Sequence, residues 1–429
     1  MRSKKWWAVP PIAVTILLAS GPTMAHAARP IVDQASKAQT LIGATADLAA
    51  TAKHRCKLGP SSMAAGECPR RGPVSAEAIA AARRVQKTST GQAAKIQAEP
   101  DGMVAVSTPP LIPTWCDLEQ EATNLRMNDC FIQTSYVVFY RVPNGSMTGI
   151  ATVTYFEWAT LNPDSRSWDH HLAMYVSDAF DDALNSTFIA TPWCNAACGV
   201  ANPTTPTRLT TRVNQWYKGK WTLSSPGTAT VYPEQNTDLY FTSTVTPDRQ
   251  IYDFTPPMGY ARCDSSSLIA DTPNGGCSYY KVAPRHELSP HDWRYGRHAA
   301  FVATAQVELP DGWGLPRYPP LTRMYDPVLE ANNHATSCAG FLPTGPMDSC
   351  DVYPFAGTYQ GAAIIGKSRT AVGHVPVDQR AAGNAAFATF VSSNRILDGD
   401  TFSVNAGVLS VDPRTRHTPN TNLPDYSKD

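Results

Sequence analysis

The stretch FIQTSYVVFYRV at 131–142, PNGS at 143–146 and MTGIATVTYFEW at 147–158 decides the fold of the larger part of this chain. Two runs rich in Val, Thr, Tyr and Phe flank Asn144-Gly145, and β-formers on both sides of an Asn-Gly turn predict an antiparallel hairpin. Outward from it, residues 171–176, 208–213, 228–232, 238–245 and 300–307 read as further short strands separated by turn residues. No good amphipathic helix interrupts them, so residues 111–310 are expected to form an antiparallel β-sandwich. Strand alternation sends His170 and His171 to opposite faces, which argues against a shared metal in Trp168-Asp169-His170-His171. Core packing accounts for Trp193, Trp216, Trp221 and Trp293, the alternative being an aromatic face for a polymer ligand.

The chain opens with Arg2, Lys4 and Lys5, an apolar run over 6–20 and the small-residue site Ala25-His26-Ala27. This predicts a secretory signal over 1–27, an exported protein and no stable membrane association. Residues 28–110 are rich in Ala, Ser, Gln and Lys with almost no aromatics. They are expected to be a flexible arm or pro-segment, with Ser75 capping a short helix over 76–87 and Ser107-Thr108-Pro109-Pro110 as a linker. The basic pairs Arg70-Arg71 and Arg83-Arg84 leave a DNA-binding arm as the rival reading.

Ten cysteines in an exported chain point to disulfides. Successive neighbours suggest the pairs Cys56 with Cys68, Cys116 with Cys130, Cys194 with Cys198, Cys263 with Cys277, and Cys338 with Cys350. Charge is distributed unevenly: eleven Lys+Arg against six Asp+Glu in 28–110, thirteen against nineteen in 111–310, and nine against eleven in 311–429. Neither folded region has the net basic footprint usual for tight nonspecific DNA binding, although a local patch or a bound cation can still neutralise phosphate. The absence of a Gly-rich phosphate loop and of a Gly-x-Ser-x-Gly elbow argues against nucleotide-binding and serine-hydrolase classes.

Residues 311–411 carry mixed signals, with helices expected over 321–333 and 383–391 and a strand over 401–404. The whole is then α+β: an antiparallel sandwich-like middle domain, a small α+β domain, and a frayed tail over 412–429. In the small domain, SCDVYPFAGTYQG at 349–361 is followed by VPVDQRAAGN at 375–384 and NRILDGD at 394–400. These blocks resemble those of the secreted bacterial NucA/NucB deoxyribonuclease family: a Cys-Asp-Glu-Tyr/Phe-Pro block, an Asp-Asn-Arg-Gly-Ala-Gly segment and an Arg-Ile-Leu-Asp-Gly-Asp ending. The resemblance covers roughly residues 315–404 and implies a secreted endodeoxyribonuclease that uses a divalent cation, Mg2+ or Mn2+, with DNA as substrate. Asp351 inherits the active-site role, while the family's next residue, Glu, is here Val352.

Asp378 and Gln379 match the opening of the second block and could complete a metal shell with Asp351, and Arg380 could hold a phosphate. The plain alternative is an N-capping Asp378 beside a solvent-exposed Arg380. His334 and His374 are candidate general bases or ligands, with His374 nearer the second block; surface loop histidines are the alternative. Lys367 and Arg369 are candidate phosphate contacts or a solvated charged turn. Asp398 and Asp400 read as turn carboxylates, with a calcium-like site as the alternative. The second function consistent with these residues is a non-catalytic extracellular binding or envelope protein carrying a degenerate nuclease domain, because Val352 can neither bind a metal nor move a proton.

Overall fold

A computed structural model of the chain describes residues 71–72, 74–89, 101–140, 147–245, 250–254, 258–269 and 274–407. The expected signal segment, the Cys56–Cys68 pair, the Asn144-Gly145 turn and the tail over 412–429 lie outside the described residues.

The protein is α+β, with mostly antiparallel sheets. The first helix among the described residues, α1 (Ala76–Ser89), begins where Ser75 Oγ accepts from Ala78 N at 3.3 Å. Strand β1 (Gly102–Val106) follows, then β2 (Asn128–Tyr140) and β3 (Met147–Thr160), whose ladder closes at Tyr140 opposite Met147. The sheet continues through β4 (Ser167–Asp181), β6 (Gln215–Ser224) and back to β1 at its edge. A second sheet pairs β5 (Ser186–Cys194) with β7 (Gln235–Ser243). Val137, Phe139, Val153, Tyr155, Met174 and Tyr217 of the first sheet bury one core with Phe188, Leu239 and Phe241 of the second. Alternation holds where it was expected to matter: His170 is buried against Glu157, whereas His171 stacks on Trp158 at 5.0 Å.

Two expectations are overturned here. Residues 76–89 and 102–106 are not a free arm, because Ala78, Ala81 and Ala82 of α1 pack with Phe156, Trp158 and Tyr175 on the outer face of the first sheet, and Met103 of β1 joins the inter-sheet core. Small side chains let the helix lie close to the sheet, so a segment without large apolar residues still buries a face. Residues 300–307 are not a strand but part of helix α2 (Gly296–Glu308). Its buried residues His298, Phe301, Val302, Ala305 and Gln306 recur at three- and four-residue spacing, and three Ala among residues 300–305 favour helix over strand.

Between the sheets and α2 lie the short strands β8 (Ala261–Asp264) and β9 (Gly276–Tyr279), joined by the Cys263–Cys277 disulfide. The C-terminal core then gathers α2, the hairpin of β10 (Asp348–Tyr353) and β11 (Ala371–Pro376), α4 (Val377–Ser393) and β12 (Thr401–Asn405) around Phe301, Tyr353, Val375, Phe390 and Phe402. Residues 285–287 pair in parallel with β12, so the C-terminal core recruits chain well before residue 311. The helix expected over 321–333 is displaced: Leu321–Thr322 is a strand, and α3 (Pro327–Cys338) starts where Asp326 accepts from Val328 N and Leu329 N and Pro327 takes the first turn. Four of the suggested disulfides, Cys116–Cys130, Cys194–Cys198, Cys263–Cys277 and Cys338–Cys350, are formed.

Candidate active site

The β10–β11 hairpin sets Asp351 directly opposite Gly373. A Cβ at Gly373 would lie 2.4 Å from Phe301 Cδ2, so the missing side chain is what lets α2 settle onto the hairpin. One turn before Phe301, His298 reaches Asp351, with Nδ1 2.6 Å from Oδ2. The other carboxylate oxygen accepts from Val352 N at 3.0 Å. A carboxylate can only accept, so the imidazole proton of this pair sits on Nδ1. Gly383 of α4 closes the far side of the ring, and Phe355 stacks on it at 6.1 Å. His286, buried and stacked on Phe390 at 4.6 Å, lies in the same aromatic group. Burial, with a smaller contribution from the charge of His298, lowers its pKa to about 4, so it is neutral near pH 7.

Asp351 forms part of the lining of a cleft of roughly 750 Å3. Val352 and Phe355 share that floor, α3 contributes Glu330 and His334, and α4 contributes Arg380, Asn384 and Phe387. Arg323 and Tyr325 form another part of the wall, and Leu268 and Ile269 from the loop after β8 reach its rim. The i,i+4 spacing of Glu330 and His334 puts both on one face of α3. Arg380 Nη1 donates to Cys350 O at 3.0 Å and lies 3.0 Å from His334 Nε2, while the Cys338–Cys350 disulfide ties the end of α3 to the strand that carries Asp351. Arg323 Nη1 donates to Gly357 O at 2.6 Å and its guanidinium lies over the Tyr325 ring, leaving Nε buried without a partner.

The residues singled out from sequence separate into two groups. Asp351, Arg380 and His334 share the cleft. Asp378 is exposed in the first turn of α4, and neither it nor Gln379 lines the cleft; Gln379 Oε1 accepts from Arg297 N at 2.8 Å, capping α2 instead. His374 Nδ1 lies 2.6 Å from Asp348 and its ring packs on Phe341, away from the cleft lining. Lys367 donates to Ala339 O, and Arg369 forks onto Asp311 at 2.7 and 2.8 Å. Asp398 accepts from Tyr325 N, and Asp400 is buried among arginines, so both hold structure as turn carboxylates.

Three cleft-associated residues carried no local sequence signal strong enough to single them out: His298, Arg323 and Glu330. Helical periodicity over 296–308 was the available clue for the first. Among the described residues no three His, Cys, Asp or Glu side chains gather in one metal-binding group. A cation here would therefore rest on Asp351 with water and substrate oxygens around it, a shell that Mg2+ accepts because it keeps several waters and uses few protein ligands. The chain matches no protein-family model and no curated protein.

Proposed function

We propose that this chain is an exported, divalent-cation-dependent deoxyribonuclease of the NucA/NucB type, with Asp351 as its central carboxylate. The observation that carries the reading is the placement of Asp351, which is 4% exposed, on the lining of a cleft whose walls present Arg323 and Arg380. A planar guanidinium matches phosphate oxygens in a two-point contact, so the two arginines can grip a phosphodiester from different walls. His298 holds the rotamer of Asp351 through its Nδ1 contact in a site largely shut off from water. A cation held by Asp351 would supply charge neutralisation on the phosphate and on the leaving oxygen. The apolar floor of Val352 and Phe355 excludes solvent beneath the bound phosphate.

The test is digestion of plasmid DNA by the purified mature chain with Mg2+, with Mn2+ and with chelator, beside Asp351→Ala. Cation-dependent cleavage that falls by about 10²-fold or more in a folded Asp351→Ala protein is the expected result. Val352 favours a second reading, a non-catalytic extracellular binding protein, since it removes a carboxylate from the cleft floor itself. A parent chain that cuts nothing under any of these conditions would establish that second reading over the first.

A further inference from the structure

We propose that His334 is the general base of the cleft, and that substrate exposes it by drawing Arg380 away. The proposal rests on the nuclease reading above. Asp351 is poorly placed to take a proton from water, because one oxygen is held by His298 and the other by Val352 N. The neighbouring position is an apolar valine, 5% exposed. The proton acceptor must then come from across the cleft, where α3 presents Glu330 and His334. Glu330 turns toward Arg323, 4.0 Å away, and its side chain is 47% exposed. His334 faces Arg380 at 3.0 Å, with the Cys338 sulfur 3.7 Å away.

A guanidinium has donors and no acceptor, so its contact with His334 Nε2 places the lone pair on Nε2 and the ring proton on Nδ1. This is the tautomer a base requires. The same Nη1 donates to Cys350 O, so the lone pair sits beside the strand that carries Asp351. A phosphate is a stronger partner for Arg380 than a neutral imidazole, since it adds the attraction of opposite charges and a two-point contact with the planar guanidinium. When phosphate takes the guanidinium, Nε2 is left free to accept from a water. That water passes a proton to Nε2 and its oxygen bonds to phosphorus. The P–O ester bond breaks with its electron pair on the leaving oxygen, which takes a proton from solvent, and the imidazolium returns its proton to solvent. The products are a phosphomonoester and an alcohol, and the arrangement supplies the base that Val352 lacks.

His334→Gln is the discriminating variant, because its amide oxygen can still accept from Arg380 while it cannot act as a base near neutral pH. Plasmid cleavage by parent and variant is followed from pH 5 to 9, with folding checked by circular dichroism. Expected is a loss of about 10²-fold in kcat with KM within a few-fold, together with loss of the acidic limb of the parent's pH profile. A variant that keeps the parent's rate and profile would overturn the base assignment while leaving the nuclease reading intact; a parent with no cleavage overturns both. Histidine nitrogen NMR of the parent, with and without a saturating non-cleavable phosphorothioate oligonucleotide, reads the exchange itself. An Nε2 resonance of His334 that does not move on saturation would refute release by substrate.

Discussion

Gly383→Ala tests whether the close seating of α4 on His298 is what holds the site. A Cβ at position 383 would fall 2.4 Å from His298 Cδ2, 2.6 Å from Cγ and 2.9 Å from Nε2. Carbon contacts settle near 3.5 Å, so ring or helix must move by about 1 Å. The ring cannot retreat freely, because Asp351 holds its Nδ1 and Phe355 stacks on it. Overpacking of this kind costs about 1–3 kcal/mol, against roughly 1 kcal/mol gained by replacing Gly with Ala inside a helix. Net destabilisation should be about 0–2 kcal/mol, a fall of a few degrees in Tm. Activity should suffer far more, since a displacement of about 1 Å in a positioned group can cost 10²-fold. Gly345→Ala is the control, because a Cβ there meets nothing within 4 Å. DNA cleavage and thermal melting of both variants beside the parent give the answer. Parental activity with equal or higher Tm in Gly383→Ala would refute the claim that this glycine is required for His298 to reach Asp351.

Arg395→Met should cost about 3–5 kcal/mol in denaturant unfolding, because Asp264, itself fully buried, would lose the fork it receives at 2.6 and 3.0 Å; a cost below about 1 kcal/mol would contradict this. Asp129→Asn should stabilise the protein at pH 8 by about 1–3 kcal/mol and leave it unchanged near pH 4, measured by melting at both values. Burial first, and then the charge of Glu157, raise Asp129 to about 6 against the opposing hydrogen bond from Gly259 N. The folded chain therefore binds this proton more tightly than the unfolded chain between pH 3.8 and 6, and the ionised group costs stability above that window. An equal effect of the substitution at both pH values would contradict the sign.

What could be read from sequence was whatever local pattern determines. The long hairpin, the final strand and the Ser75-capped helix announce themselves through alternation, turn chemistry and capping, each a property of a few adjacent residues. Helix α2 was misread because Phe301, Val302 and Thr304 satisfy a strand pattern as readily as a helical one over eight residues, and only the longer 298–306 spacing separates the two. Asp351 and Arg380 were legible because they stand in compact blocks. His298 was not, since it meets Asp351 across 53 positions of chain and only because positions 373 and 383 lack side chains. Gly373 and Gly383 act as absences that let helices approach, and that role appears only once both partners are placed.

The block 394–400 draws attention as a possible site, yet Arg395 and Asp400 face the sheets and not the cleft, while the exposed Asp398 accepts from Tyr325 N and the Tyr359 hydroxyl. Arg395 is fully buried and binds the Asp264 carboxylate and Pro163 O. Asp400 takes Arg126 at 2.6 Å and Arg262 at 2.8 Å, and Arg126 also donates to the carbonyls of Asn394 and Arg395. Burial would raise the pKa of Asp400, but the hydrogen bonds and charge of Arg262 and Arg126 outweigh it and hold the group below its ordinary value. Three guanidiniums against two carboxylates would leave a buried positive charge, which the surrounding carbonyl oxygens solvate. This junction pins the C-terminal end of α4 to β8 and to the loop before β2. The same helix carries Arg380, Asn384 and Phe387 into the cleft, and Gly383 against His298. Arg395 and Asp400 therefore serve the cleft at a distance: they fix the axis of the helix on which the position of Arg380, and through it the tautomer of His334, depends.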